Sequence, residues 1–294
     1  MPTDSLQVTV VIPTLNEADR LPACLASVQW AAQIIVADAG STDGTIAIAR
    51  RFGAIVLENT GPTIGAQRNA AISAASQPWI LAVDADERVT AELRDSIATA
   101  IQTPQVDAFR VHMRNRYLGA PMERGGWGRD RHVRLFRASL RYRLQRVHEG
   151  LEYDGPVVDL QGRLDHDSYR DLAHQLNKVT TYSTWGAADL NAKGKRVGVS
   201  HLVLRPAWRF LKCYVLQGAW REGRRGFVLS AVHAWSAFSK YALLWDKQRI
   251  DAERSAAVAI KPEPRRAPAR GPSTAFDVTP AERITTREAA GSRR

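Results

Sequence analysis

Four short apolar runs punctuate the first third of the chain: "VTVVIPTL", "QIIVADAG", "AIVLEN" and "WILAVDADE". Between them lie segments with apolar residues at helical spacing, such as Leu21, Cys24, Leu25 and Val28 in "RLPACLASVQWA" and the Ala-rich "TIGAQRNAAISAAS". Strands alternating with helices in this way predict βαβ units and a parallel sheet. Gly53 closes the helix "IAIARRFG", and Thr90 is placed to cap "TAELRDSIATAIQ". Open parallel sheets bind ligands outside the carboxyl ends of their strands. Here "TLNE", "DAGSTDGT" and "DADE" all fall at such ends, so three polar clusters converge on one crevice.

The last cluster is the most demanding. One carboxylate at a strand end is a turn signal or a helix cap. Asp84, Asp86 and Glu87 together repel one another unless something cationic binds, and a divalent metal is the usual solution. Asp84 is expected to be the more buried aspartate, and Glu87 a solvated residue opening the next turn. The middle cluster is less demanding, since Ser41, Thr42 and Asp43 before Gly44 would cap the following helix with no ligand at all. No GxGxxG follows the first strand and no GxxxxGK[ST] occurs, so any phosphate would be held by metal and side chains.

With 294 residues, 45% of them hydrophobic, the chain can bury a substantial core, as one large α/β domain with an appendage or as two smaller domains. Cys24 and Cys213 are far apart and have no nearby ligand partner, which argues against a disulfide framework or a zinc site and fits a reducing, cytoplasmic setting. The N-terminal segment has no basic region before its apolar run and reads as a first strand. The net charge of +11 is uneven: residues 1–104 carry 6 Arg against 11 acids, whereas residues 193–249 carry 12 Lys or Arg against 2 acids. On charge alone the basic half suits nucleic acid, anionic lipid or a phosphorylated substrate.

The series "VVIPTLNEADRLPACLASV", "IIVADAGSTDGT", "GAQRNAAI" and "ILAVDADE" resembles, in order and spacing, the N-terminal half of family 2 inverting glycosyltransferases of the GT-A fold. The later "RGGWGRDRHVRLFR", "VHEGL" and "LDHDSY" look like the lipopolysaccharide core glucosyltransferase subgroup, and the resemblance covers about residues 6–245. It implies an α/β fold, a Rossmann-like, mostly parallel sheet flanked by helices with C-terminal amphipathic helices, and a UDP-sugar donor. It places Pro13 and Glu17 near base and ribose, Asp38 against the uracil ring with Ser41 and Asp43 beside it, and Arg68 and Asp84 in the donor site. It makes Asp86 the direct ligand of Mg²⁺ or Mn²⁺, with His166 completing the metal shell, and Glu149 the base that takes the acceptor proton. Asp130 is the reserve candidate for that base. Gly125 and Gly126 give backbone freedom for close approach to a sugar, and Trp127 offers a stacking platform. Gly128 and Arg129 depart from the subgroup, which usually has an aromatic and a proline there. Arg129, Arg131, Arg134 and Arg137 alternate with apolar residues, so half are expected on a solvated face and half toward an anionic acceptor.

Beyond residue 168 the pattern is helical. "DLAHQLNKVTTYSTWGAADLNAKG" keeps an apolar face at Leu172, Leu176, Val179 and Tyr182 and ends at Gly194. Two further helices rich in Trp, Phe, Arg and Lys suit the headgroup plane of an anionic membrane better than a span, with packing on the domain as the alternative. From about residue 252 the Pro-, Ala- and Arg-rich sequence reads as a disordered tail. The expected organisation is therefore a catalytic domain over 1–167, a helical membrane or acceptor region over 168–250, and the basic tail over 251–294. The expected activity is metal-dependent transfer of a hexose, glucose by resemblance, from a UDP-sugar to a lipid-linked glycan such as a lipopolysaccharide inner core. The enzyme would sit as a peripheral protein on the inner face of the cytoplasmic membrane. Transfer to a polyprenyl phosphate and a non-catalytic sugar-nucleotide binder are the alternatives; nucleic-acid binding is disfavoured by the acidic crevice.

Overall fold

The computed structural model describes residues 5–103, 105–144 and 150–259; the chain through Gln248 forms one compact unit, and residues from Arg249 a second. The alternation of apolar runs becomes β1 (Leu6–Thr14), α1 (Leu21–Ser27), β2 (Ala31–Asp38), α2 (Thr45–Arg51), β3 (Ile55–Leu57), α3 (Ile64–Ser73) and β4 (Trp79–Ala82). β1 pairs in parallel with β2 and β4, and β2 with β3. Val8, Val10, Val11 and Ile12 are fully buried, as a β-branched run in the middle of a parallel sheet covered on both faces must be. Pro13 survives in this central strand for a local reason. The Val11 carbonyl accepts from Val83 N, so the backbone two residues on also faces the β4 side, where β4 has already ended and no donor is needed.

The fourth run does not continue as one strand. β4 stops at Ala82, the chain turns through residues 83–86, and Glu87–Val89 forms β5 against a distant strand. There follow α4 (Ala91–Ala100), capped by the Thr90 side chain as expected, then β6 (Ala108–Tyr117), β7 (Ala120–Pro121), β8 (Arg131–Arg137) and β9 (Val157–Asp167). The strand order is β3-β2-β1-β4-β8-β6-β9-β5, with β7 on β6. β8 enters antiparallel between β4 and β6, and β9 runs parallel to β6 and antiparallel to β5. This second half of the sheet carries Asn115 and His166 to the edge where the carboxylates lie.

The remaining helices are α5 (Leu172–Ala192), α6 (Val199–Leu211) and α7 (Arg224–Ala259). A π-helical turn over Lys212–Leu216 and a 3₁₀ turn over Ala219–Glu222 join the last two. The expected apolar face of α5 is corrected: Leu172, Leu176 and Tyr182 are exposed, while Gln175, Ser183 and Ala187 are buried. The polar face packs because it is satisfied. Tyr117 donates to Gln175 Oε1 at 2.7 Å, and Ser183 Oγ donates to the Ser236 carbonyl at 3.3 Å, while Ala187 is small enough to be buried without displacing neighbours. The tail also begins later than expected, since residues 251–259 continue α7 through Ala-rich, helix-favouring sequence; residues 260–294 lie outside the described part. No described helix is long and apolar enough to cross a membrane.

Candidate active site

The loops after β1 and β2 are laced together by their own polar side chains. Asp38, fully buried, accepts from Gly40 N at 2.8 Å and Ser41 N at 2.7 Å on one oxygen, and from Thr14 Oγ1 at 2.9 Å and Ser41 Oγ at 2.6 Å on the other. Burial opposes its ionisation, but these donors outweigh burial and hold its pKa low. Asp43 accepts from Thr45 N and Ala18 N, tying the turn to itself and to the loop after β1. The capping read from "STDG" is corrected: the residue at the N-cap of α2 is Gly44, and no side chain caps that helix. Asn16 bridges the loops, donating its backbone N–H to Ser41 Oγ and accepting from Thr42 N. Glu17 is held by Arg20 at 2.7 Å and Arg170 at 3.2 Å.

The turn after β4 is built differently. Asp84 receives Arg68 at 2.5 Å on one oxygen and Arg134 at 3.0 Å on the other. Burial works against its charge, yet the two guanidinium groups hold its pKa far below the usual carboxylate range. Glu87 is corrected: it is 1% exposed, accepting from Asp84 N at 2.8 Å and from Arg134 at 2.5 Å. Burial first, with help from the Asp84 charge, outweighs Arg134 and pushes it up to about 7. The order of burial is also corrected, for the Asp84 side chain is 30% exposed and that of Asp86 12%. The turn swings Asp84 outward over the two arginines and leaves Asp86 inside, under Arg20. Nor do the arginines of β8 divide evenly: Arg134 alone turns into the site, Arg131 pairs with Asp159, and Arg137 stacks on Trp79 at 4.0 Å.

Asp86 Oδ2 lies 3.1 Å from Arg20 Nη1 and 3.6 Å from His166 Nε2. The tautomer of His166 follows from its other nitrogen. Asn115 Nδ2 faces the Asp130 carboxylate at 3.1 Å and the Trp127 carbonyl at 3.5 Å, both acceptors, so its amide oxygen is the atom 2.7 Å from His166 Nδ1. That oxygen can only accept, and the ring must present Nδ1–H to it. Nε2 is thereby aimed at Asp86. Burial lowers the His166 proton affinity, but Asp86, then Glu87 and Asp84, raise it overall.

Residues 9–149 match the family profile "Glycosyl transferase family 2". The lipopolysaccharide core biosynthesis glycosyltransferase LpsC of Rhizobium meliloti is 31% identical over 256 residues, 84% of this chain and 95% of its own length. The chain belongs to glycosyltransferase family 2. Among solved structures, S. aureus TarS (residues 1–349) is 15% identical, matched over 83% of this chain and 91% of that one with a TM-score of 0.43. Glucosyl-3-phosphoglycerate synthase from Mycobacterium tuberculosis, crystallised with Mn²⁺, UDP and its product, is 22% identical over 38% and 44% of the two chains, with a TM-score of 0.32.

As a family 2 enzyme with the GT-A fold, the chain offers few ligands to a metal. Among the described residues no group of three or more His, Cys, Asp or Glu is arranged to hold an ion. What exists is a pair, Asp86 and His166, on an imidazole whose tautomer is already set by a second amide. Asp86 and His166, 3.6 Å apart, would be the residues to hold a divalent ion, and the hard oxygen and the imidazole nitrogen suit Mg²⁺ or Mn²⁺. The residues fit the group in that limited sense.

The other expected residues fall in two places. Asp130 is tied to the site through Asn115, and its second oxygen takes His132 at 2.9 Å, which chiefly keeps its pKa low. Gly125, Gly126 and Trp127 lie beyond Asn115, against the π turn: Gly125 N donates to the Gln217 carbonyl, and Trp127 packs edge-on to Tyr117 at 5.4 Å. Glu149 lies outside the described residues. The motif reading missed Arg20, Asn115 and Arg170 as site residues, and had Arg134 only as one of four arginines, half of them expected to face an anionic acceptor. Arg134 had a sequence signal, since a site with several buried carboxylates needs buried cations and this arginine sits mid-strand. Asn115 had none, because only the β6–β9 register brings it opposite His166.

Proposed function

We propose that this chain is an inverting, metal-dependent hexosyltransferase that uses a UDP-sugar, glucose by resemblance, and a lipid-linked glycan acceptor at an anionic membrane surface, on the inner face of the cytoplasmic membrane. The observation that carries the reading is the Asp86–His166 pair, held by Arg20 and Asn115 at the carboxyl edge of a family 2 sheet. A divalent ion held by Asp86 and His166 would supply neutralisation of charge on the departing nucleoside diphosphate. The chain's own residues do the remainder. The loops after β1 and β2, fixed by Asp38, Asn16 and Asp43, form a rigid floor for the nucleoside, with Glu17 and Ser41 at its rim and Pro13 buried at the carboxyl end of β1. The Asp38 oxygens already have four donors, so its part is to shape that floor, and a uracil N–H would bond to it only by displacing a hydroxyl. Arg68 and Arg134 keep Asp84 ionised and in place beside the ribose.

Inversion requires a base on the face opposite the leaving group. Glu149 is proposed for that role. Asp130 is the weaker candidate, because both of its oxygens are engaged and its low pKa makes it a poor proton acceptor. LpsC, by its name a lipopolysaccharide core enzyme, supports the choice of acceptor class. The membrane assignment is supported by half-exposed Trp208, Trp235 and Trp245 among the cations of the last two helices and Trp220 in the turn between them. Calorimetric titration with UDP, with and without Mn²⁺, tests the reading directly. Metal-dependent UDP binding that disappears in Asp86→Ala, together with an inverted anomer in the transfer product, is expected; metal-independent binding unaffected by that substitution would refute it.

A further inference from the structure

The glycine loop after β7 lines two cavities. One, of about 190 Å³, is lined by Gly125, Gly126, Trp127, Arg209, Lys212 and Gln217 among others. The second, of about 490 Å³, is lined by Arg124, Arg129, Trp220 and Arg221, and also by Gly126 and Gln217. The two therefore share a wall. That wall is built: Gly125 N donates to the Gln217 carbonyl at 3.0 Å, Cys213 Sγ contacts the Gly125 carbonyl, and both glycines have positive φ. A Cβ on Gly126 would come within 3.1 Å of the Gln217 amide, a tight contact, and its φ of 93° is the left-handed conformation that favours glycine. The opposing wall is a π turn, a distortion that costs helix hydrogen bonding and recurs at functional sites.

The charge of these cavities is unanswered. Arg124, Arg129, Arg209, Lys212 and Arg221 have no carboxylate partner among the described residues; of the acids nearby, Glu123 leans toward Arg163 at 3.7 Å and Glu222 accepts from Glu123 N at 3.3 Å. Arg221 rests on the Trp220 ring at 5.0 Å. The proton affinity of His233, which also lines the first cavity, is reduced by burial and then by Arg209, and that of Lys240 by burial, Arg209 and Arg205. Five uncompensated cations around a polar hollow stabilise an anion with several oxygens. The wall they face is the loop whose Trp127 carbonyl meets Asn115, the residue that orients His166. A group bound there is therefore linked through that loop to the residue that sets His166.

We propose that this pair of cavities is an anion subsite for a phosphate group carried by the acceptor glycan, an assignment that rests on the transferase reading above. The probe is inorganic phosphate, titrated at constant ionic strength into the full chain and followed by tryptophan emission, since Trp127 lines one cavity and Trp220 the other. A saturable response is expected, weakened about tenfold in the double variant Arg209→Gln/Lys212→Gln and retained in Arg209→Lys, with Mn²⁺-supported UDP affinity the same in both variants as in wild type. Both side chains are exposed, so these variants are expected to fold, and unchanged UDP affinity verifies it. A phosphate response no larger than that of matched sodium chloride, or one unaffected by the double substitution, overturns the subsite. Flotation on phosphatidylglycerol and phosphatidylcholine vesicles separates the sources. If the double variant loses phosphatidylglycerol binding while soluble phosphate never binds, the ligand is a lipid headgroup and the glycan assignment is overturned. Absence of UDP binding by the wild-type chain overturns the transferase reading while leaving the phosphate response intact.

Discussion

The sheet edge and the helical region handle charge in opposite ways. At the edge, Arg20, Arg68, Arg88, Arg134 and Arg170 each pair with a carboxylate. Around the π turn five cations have no such partner among the described residues, and the neighbouring helices leave large aromatic rings half in water. Internal pairing makes a stiff site, because each charge is fixed by another and little reorganises when substrate arrives. Unpaired charge next to exposed rings does the reverse: its energy is released only when an external anion or surface is met. One region is organised before binding and the other is completed by binding.

If that contrast holds, substitutions at the edge have the larger effects. Glu149→Gln preserves shape and removes the proposed proton acceptor, so turnover should fall by roughly 10²- to 10⁴-fold with UDP affinity nearly unchanged. Steady-state kinetics on this variant and on Asp130→Asn decides between the two candidates. Should only Asp130→Asn show the pattern, the reserve residue is the base.

Next in size is the buried ion network. Arg134→Met leaves Glu87 without its cation and Asp84 with one of its two, and breaking such a buried pair costs about 3–5 kcal/mol. Urea denaturation should show most of that loss, and the double substitution Arg134→Met/Glu87→Leu should recover a large part of it. A single variant within about 0.5 kcal/mol of wild type would mean that the edge is not stiffened by its ion pairs.

Asn115 comes third. Truncating a residue that orients a metal-binding histidine commonly costs 10- to 100-fold in metal affinity. Asn115→Ala should therefore raise the Mn²⁺ concentration needed for UDP binding by about that factor, with metal-free UDP binding unaltered. Equal Mn²⁺ requirements in variant and wild type would remove the oriented-imidazole account of His166.

These three tests also mark what could be read from the chain. The first four strands and the convergence of their polar ends were legible because β-branched runs and strand-end polar clusters are local signals. Glu87 was misread because its burial depends on Arg134, which is distant in sequence and reaches it through the antiparallel insertion of β8. Asn115 was invisible, since β-pairing register is a long-range property. On α5 the apolar stripe was a correct pattern with the wrong consequence: tertiary hydrogen bonds to Gln175 and Ser183 decided which face is buried. Leu172, Leu176 and Tyr182 were left outside, adding to the exposed apolar surface.

The smallest expected effects belong to that outer surface. Arg221, Arg224 and Arg225 lie around the junction leading into α7, with Trp220 and Phe227 about half exposed beside them. A cation near an anionic bilayer contributes about 1 kcal/mol, so each Arg→Gln change here should weaken binding to phosphatidylglycerol vesicles about fivefold. Salt should weaken binding without abolishing it, because screening acts on the cations and not on buried rings. Trp220→Ser should act in the complementary way, lowering the salt-resistant fraction. Flotation of the full chain at low and high salt measures both parts. If the arginine variants bind as wild type does, or if wild-type binding vanishes entirely at high salt, the aromatic rings are not inserted and this face is an electrostatic docking surface alone.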